Sequence, residues 1–235
     1  MNRKRSQGRF VFGCVAPAVI LVILFMFIPT VNVFRMSLFR MGGITNKKEF
    51  VGMQNFKTLL GDRNFLEAMQ NSIVIIVMVT ICTIFLAVLF AALLSRGNFK
   101  GKNIFRVIFY IPNILSIVVI AGIFGAIYDP SNGLLNTFLR AIHLDGLAHQ
   151  WMGDPKIVLY SVIFALVWQA IGYYMVMYMA SMAAIPEDLY EAASLDGSTE
   201  IQTFFKVTLP LIWTNIRTTL TFYIISTINL SFLFV

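Results

Sequence analysis

The side chains in this sequence that could act on another molecule are suited to recognition rather than to bond-making. His143 and His149 stand in one polar stretch without cysteines or carboxylates at metal-ligand spacing, which predicts no metal site. Cys14 and Cys82 lie inside apolar runs, as small buried residues do, and predict no disulfide. What remains is a set of neutral polar and aromatic residues in apolar surroundings. Asn113 and Ser116 follow Pro112, and Trp168, Gln169, Tyr173 and Tyr174 form a second group. Aromatic faces stack on the apolar C–H faces of sugars, and amides bond to hydroxyls, so these residues could line a path for a polyhydroxylated solute. Helix packing with interhelical hydrogen bonds is the plainer account of the same residues. No cofactor is expected.

These residues sit in elements that only a membrane explains. Of 235 residues, 58% are hydrophobic and 12% charged, against about a quarter charged in soluble domains. The apolar residues are gathered into runs long enough to span a bilayer: Phe10–Phe34, Asn71–Leu94, Val107–Tyr128, Ile157–Ile185 and Leu211–Val235. The first is too long for a signal peptide and is read as a retained span. The predicted fold is an all-α, multi-span bundle. An N-terminal part, 1–70, holds the first span and a loop, and a core, 71–235, holds the other four spans.

The formal net charge of +7 points to topology rather than to nucleic acid, because the basic residues flank apolar runs. Arg3, Lys4, Arg5 and Arg9 precede the first run, and Arg96, Lys100, Lys102 and Arg106 crowd the short connection after the second. This predicts a cytoplasmic N-terminus, with residues 35–70 and 129–156 outside and 186–210 in the cytoplasm. In the fifth run Thr218, Thr219, Thr221, Tyr223, Ser226, Thr227 and Asn229 predict a helix facing the bundle interior, while Arg217 snorkels to its end.

The most informative stretch is 185–210, IPEDLYEAASLDGSTEIQTFFKVTLP. Pro186 suits a first helical position, and Glu187 and Asp188 suit a helix N-terminus. Gly197 suits a stop, and Ser198 a cap for a second helix that ends before Pro210 opens the last span. Two short helices with a glycine-centred bend are expected. Leu189, Ala192 and Ala193 share a face, small enough for another surface to approach, and Ile201, Phe204 and Phe205 form an apolar stripe on the second helix.

Glu191-Ala192-Ala193, Gly197 and Val207-x-Leu209-Pro210 at this spacing resemble the cytoplasmic "EAA" signature of binding-protein-dependent ABC importer permeases. Val207 stands where that family usually has Ile. The resemblance implies that Glu191, Ala192, Ala193, Asp196 and Gly197 couple to an ATPase subunit, which holds the signature in a groove. Phe50–Phe56, FVGMQNF, and Asp129–Asn136, DPSNGLLN, together with Trp168, Gly172 and Ile185-Pro186, resemble the sugar branch. The resemblance therefore implies a non-enzymatic subunit in the bacterial cytoplasmic membrane. It would form half of a pathway for a carbohydrate, such as an oligosaccharide, with Asn113, Ser116, Trp168, Gln169, Tyr173 and Tyr174 as pathway candidates. Implied partners are ATP-binding cassette ATPases, a second permease and an extracytoplasmic solute-binding protein, within membrane lipid and without nucleic acid. The chain has no G-x-x-x-x-G-K loop of its own. Glycerol phosphate or a polysaccharide is the alternative solute. An ion-driven transporter would need ionisable residues deep in the spans, and the runs hold none but the shallow Arg217. The apolar ending, one span short of that family, predicts a truncated chain.

Overall fold

The computed structural model describes residues 2–41, 48–96 and 101–231. They fall into two compact units, Met1–Glu67 and Ala68–Val235.

In the first unit, α1 (Asn2–Val22) and α2 (Ile28–Met36) are joined without a break by a π-helical turn, Ile23–Phe27. Ile28 N–H reaches back five residues to the Ile23 carbonyl. Pro29 explains the widening: it has no N–H, and its ring crowds the carbonyl four residues earlier. A hairpin follows, β1 (Phe39–Met41) with β2 (Lys48–Phe50), pairing Phe39 with Phe50 and Arg40 with Glu49. The expected Gly42-Gly43 turn lies outside the described residues. Beyond the hairpin, α3 (Gln54–Gly61) is anchored by Asn55. The Asn55 amide donates to the carbonyls of Ser37 at 2.8 Å and Phe39 at 3.1 Å. Gly52, at φ +55°, makes the turn between them. The FVGMQNF stretch thus folds this loop onto itself.

The second unit takes up α4 (Arg63–Arg96) and continues through α5 (Lys102–Ile114), α6 (Ile117–Ile127), α7 (Leu134–Ala141) and α8 (Val158–Ala183). It ends with α9 (Glu187–Leu195), α10 (Glu200–Thr203) and α11 (Leu209–Ser231). Among the described residues, three helices are long and apolar enough to cross a membrane: Val11–Met36, Arg63–Ser95 and Val158–Ala183. The second starts well before the expected Asn71.

One expected span needs correction. Val107–Tyr128 is not one straight helix, because α5 and α6 meet at 105°. Leu115 is extended at the break, and Ser116 caps α6 by accepting the Val119 N–H. Pro112, inside the last turn of α5, removes one ladder hydrogen bond just before it. The last run is helical through Ser231, and its remaining residues, 232–235, lie outside the described residues. The segment before it is not a separate short helix. α10 runs through a π turn, Phe204–Thr208, directly into α11. Leu209 N–H reaches Phe204 O, and Pro210 stands two residues past the turn, as Pro29 does past the other.

The core of this unit joins α4, α8 and α11. Val79, Ala87 and Ala91 meet Ile171, Met175 and Tyr178, and Ile212, Ile216 and Tyr223 close the third side. Among the described residues, two hydrogen bonds cross it, Thr83 with Tyr223 at 3.1 Å and Tyr178 with Thr219. In lipid such bonds contribute about 0.6 kcal/mol each, so close packing must supply the rest. The polar residues of α11 split accordingly: Thr219, Tyr223 and Thr227 are buried at i, i+4, i+8, while Thr218, Thr221 and Ser226 are exposed.

Candidate functional site

The 185–210 segment forms a helix with both ends fixed. Pro186 is the residue before α9 (φ −58°, ψ 138°) rather than its first turn, which Glu187 and Asp188 occupy. Their carboxylates offset the unpaired N–H groups there. At the other end Gly197, at φ +74°, donates to Ser194 O, and Ser198 N–H donates to Ala193 O, both at 3.0 Å. These two bonds satisfy the last carbonyls and reverse the chain. Ser198 is thereby used, and the cap of α10 falls on Thr199 instead. The Thr199 hydroxyl accepts from Gln202 N–H at 3.3 Å, and Gln202 Oε1 accepts from Thr199 N–H at 3.0 Å.

The faces of α9 also differ from expectation. Ala193 is only 8% exposed and closes the inner side of the helix. Tyr190 fixes that side by a 3.2 Å hydrogen bond with Thr208 on the π turn. Leu189, Ala192 and Leu195 point outward instead, beside the exposed Glu191 and Asp196. Leu195 is 89% exposed, an apolar side chain outside the expected face. Its i, i+3, i+6 spacing with Leu189 and Ala192 is the signal that identifies it. On the second helix the apolar stripe is divided, since Phe204 packs on the core while Ile201 and Phe205 are exposed.

The pathway candidates separate into two groups. Asn113, Gln169, Tyr173 and Tyr174 come together around a cavity of about 310 Å³, which Tyr223 and Ser226 complete. The rings of Tyr173 and Tyr174 meet edge to face at 5.1 Å, and Tyr174 lies against Tyr223 at 4.7 Å. Trp168 and Ser116 are elsewhere. Trp168 packs edge-on against Phe124 at 5.4 Å, and Ser116 caps α6. The reason is helical phase: Gln169 and Tyr173 share a face at i, i+4, and Trp168 is turned about 100° from Gln169. The break in α5–α6 follows Asn113 directly, and irregular backbone at membrane depth is tolerated where it borders a cavity.

The 129–156 segment is organised around one buried amide. Asn136 donates to Pro130 O at 3.3 Å and His149 O at 3.0 Å, and accepts from Trp151 Nε1 at 2.8 Å. Asp129 Oδ1 accepts the N–H groups of Ser131 and Asn132. The DPSNGLLN motif is therefore a folding device for this loop.

Residues 83–234, from mid-α4 through the 185–210 segment and α11, match the family described as binding-protein-dependent transport system inner membrane component. The chain belongs to this family. Among its relatives, the probable ABC transporter permease protein YurN of Bacillus subtilis is 39% identical, over 83% of this chain and 66% of YurN. The lactose transport system permease protein LacF of Rhizobium radiobacter is 30% identical, over 84% of this chain and 65% of LacF. The chain thus spans about two thirds of the length of these relatives. In fold it is similar to a chain of a bacterial ABC transporter that imports the acidic polysaccharide alginate. There the TM-score is 0.84 at 24% identity, covering 99% of this chain and 78% of that one. As in this permease family, the chain is a multi-pass α-helical membrane protein.

Proposed function

We propose that this permease forms half of the translocation pathway of an ATP-driven importer in the bacterial cytoplasmic membrane, with a carbohydrate as its solute. ATP hydrolysis resides in separate ATP-binding cassette chains, a second permease completes the pathway, and an extracytoplasmic binding protein delivers the solute. The observation that carries this reading is α9, a capped helix between the long helices α8 and α11 that presents Leu189, Ala192 and Leu195 with acids at its rim. Asp196 adds support: a carboxylate at a helix C-terminus opposes the dipole by about 0.3–1 kcal/mol, a cost that recognition of a partner accounts for. The carbohydrate is supported by the tyrosine and amide cavity and by relatives such as LacF.

Co-purification with the cognate ATPase tests the assembly. Glu191 is exposed at the rim of the α9 patch, so its substitution changes partner recognition and not packing. Glu191→Lys should lower ATPase recovery and solute-stimulated hydrolysis at least tenfold, and Glu191→Gln far less. Equal, wild-type recovery for both would remove α9 as the docking element.

The basic residues around the first two spans support a cytoplasmic N-terminus and α9, with 129–156 outside. Ser131 is exposed and uses only its backbone N–H in the Asp129 turn, so Ser131→Cys leaves the loop intact. In a background without Cys14 and Cys82, it should react with a membrane-impermeant maleimide on intact cells. Reaction only after permeabilisation would reverse the topology.

A further inference from the structure

The cavity formed by α5, α8 and α11 has a composition that goes beyond a general carbohydrate path. Its lining contains tyrosines, amides and hydroxyls among apolar side chains, and no charged residue. The nearest charges on these helices are remote. Arg106 precedes Asn113 by seven residues and Arg217 precedes Tyr223 by six, which is about 9–10 Å along a helix axis. α8 carries no charged residue at all.

The polar groups of the lining are also unspent. Among the described residues, the amides of Asn113 and Gln169 and the hydroxyls of Tyr173 and Tyr174 make no hydrogen bond, whereas Tyr223 is bonded to Thr83. Polar groups at membrane depth normally find partners in neighbouring helices, and Asn113 and Tyr173 are exposed here with Gln169 and Tyr174 partly so, open to water or a ligand. Tyr173 is 43% exposed and presents a ring, while Tyr174 and Tyr223 back one another. This is a surface for a ligand with apolar ring faces and many neutral hydroxyls. A carboxylate or phosphate would meet no counter-charge from this lining, and an ion taken from water without one is strongly disfavoured.

Resting on the proposed importer function, we infer that the solute is an uncharged saccharide, held at this cavity by the Tyr173 ring and the amides of Asn113 and Gln169. The same cavity discriminates against phosphorylated sugars and uronates. LacF and the alginate importer stand on opposite sides of this division.

The test uses the complete transporter with its own partner permease, ATPases and binding protein, reconstituted in liposomes. Two matched sets of probes are compared: neutral mono- to tetrasaccharides, and the corresponding uronates and sugar phosphates. ATPase stimulation and uptake should occur with members of the neutral set and be at least a hundredfold weaker for their anionic counterparts. Among variants, Tyr173→Leu and Gln169→Ala should each raise the half-saturating concentration of the best neutral probe about tenfold, and Tyr173→Phe, which keeps the ring, should restore it to within about threefold of wild type. Equal or better handling of an anionic probe overturns the inference, as does a binding-protein-stimulated complex that responds to neither set. A half-saturating concentration unmoved in Tyr173→Leu and Gln169→Ala removes the cavity from solute binding. Failure of the ATPases to assemble with the chain is a different result and counts against the importer function itself.

Discussion

Gly172→Ala should be the most damaging single-methyl change in the second unit. A Cβ built at Gly172 would lie 1.8 Å from the backbone oxygen of Phe109 and 2.3 Å from its carbonyl carbon. α8 therefore touches the main chain of α5 at this point, the close approach that small residues permit between helices in a membrane. A flexible side chain could turn aside from an added methyl, but a carbonyl within a helix cannot. Overpacking costs about 1–3 kcal/mol in ordinary cores, and a backbone clash belongs at the upper end, about 3 kcal/mol. At roughly 2–4 °C per kcal/mol for a chain of this size, the apparent Tm in detergent should fall by about 6–12 °C. Moving α5 also moves Asn113 away from Gln169 and Tyr173, so solute-stimulated ATPase should fall with it. Gly122 and Gly125 on α6 have nothing within 4 Å of an added Cβ and serve as controls. Alanine there should leave Tm within about 1 °C. If Gly172→Ala matches these controls, α5 and α8 do not pack at this distance in the membrane.

What the sequence disclosed and what it withheld divide along the range of the interactions. The runs of apolar residues announced the helical membrane bundle, and Pro112 marks a place where a helix can break, because both are local. The 105° angle of that interruption was not legible, since it depends on which neighbours receive α6. Gly172 is visible as a glycine, but its partner carbonyl belongs to Phe109, a distant residue in the chain. The π turns before Pro29 and Pro210 are readable in principle, because proline removes a donor and crowds a carbonyl at fixed offsets. Reading Pro210 only as the opening of the last span misses the turn before it.

The candidate site shows the same division at finer scale. Thr199-x-x-Gln202 is a capping-box pattern and Ser198-x-x-Ile201 is not, so the true cap of α10 was written in the residues. Helical phase likewise excludes Trp168 from the face of Gln169 and Tyr173. The inward turn of Ala193 and outward turn of Ala192 are different. Two alanines in succession carry no sign of which is buried, and the choice is made by Tyr190 reaching Thr208. Tyr223 enters the cavity through the i, i+4 stripe Thr219–Tyr223–Thr227, which orients α11 as a whole.

Gly197→Val should uncouple the protein without unfolding it. The site is open, with nothing within 4 Å of an added Cβ, so no steric clash with the bundle is introduced. The obstacle is the backbone: φ is +74°, and left-handed geometry costs a residue with a Cβ about 1–2 kcal/mol, with β-branched valine among the worst cases. To relieve that strain the chain must give up the Gly197 and Ser198 hydrogen bonds to Ser194 and Ala193. The end of α9 then loosens, and with it the position of Leu195 and Asp196 at the proposed docking surface. A distortion of about 1.4–2.8 kcal/mol corresponds to roughly 10–100-fold weaker association with the ATPase. Membrane insertion and Tm should stay near wild type, because the core of α4, α8 and α11 is untouched. Gly197→Asn supplies the decisive comparison, since asparagine tolerates left-handed geometry at helix ends. It should retain ATPase association within about threefold of wild type. If valine and asparagine weaken association equally, the absence of a side chain matters and the left-handed bend does not. If neither weakens it, the docking surface does not depend on how α9 ends.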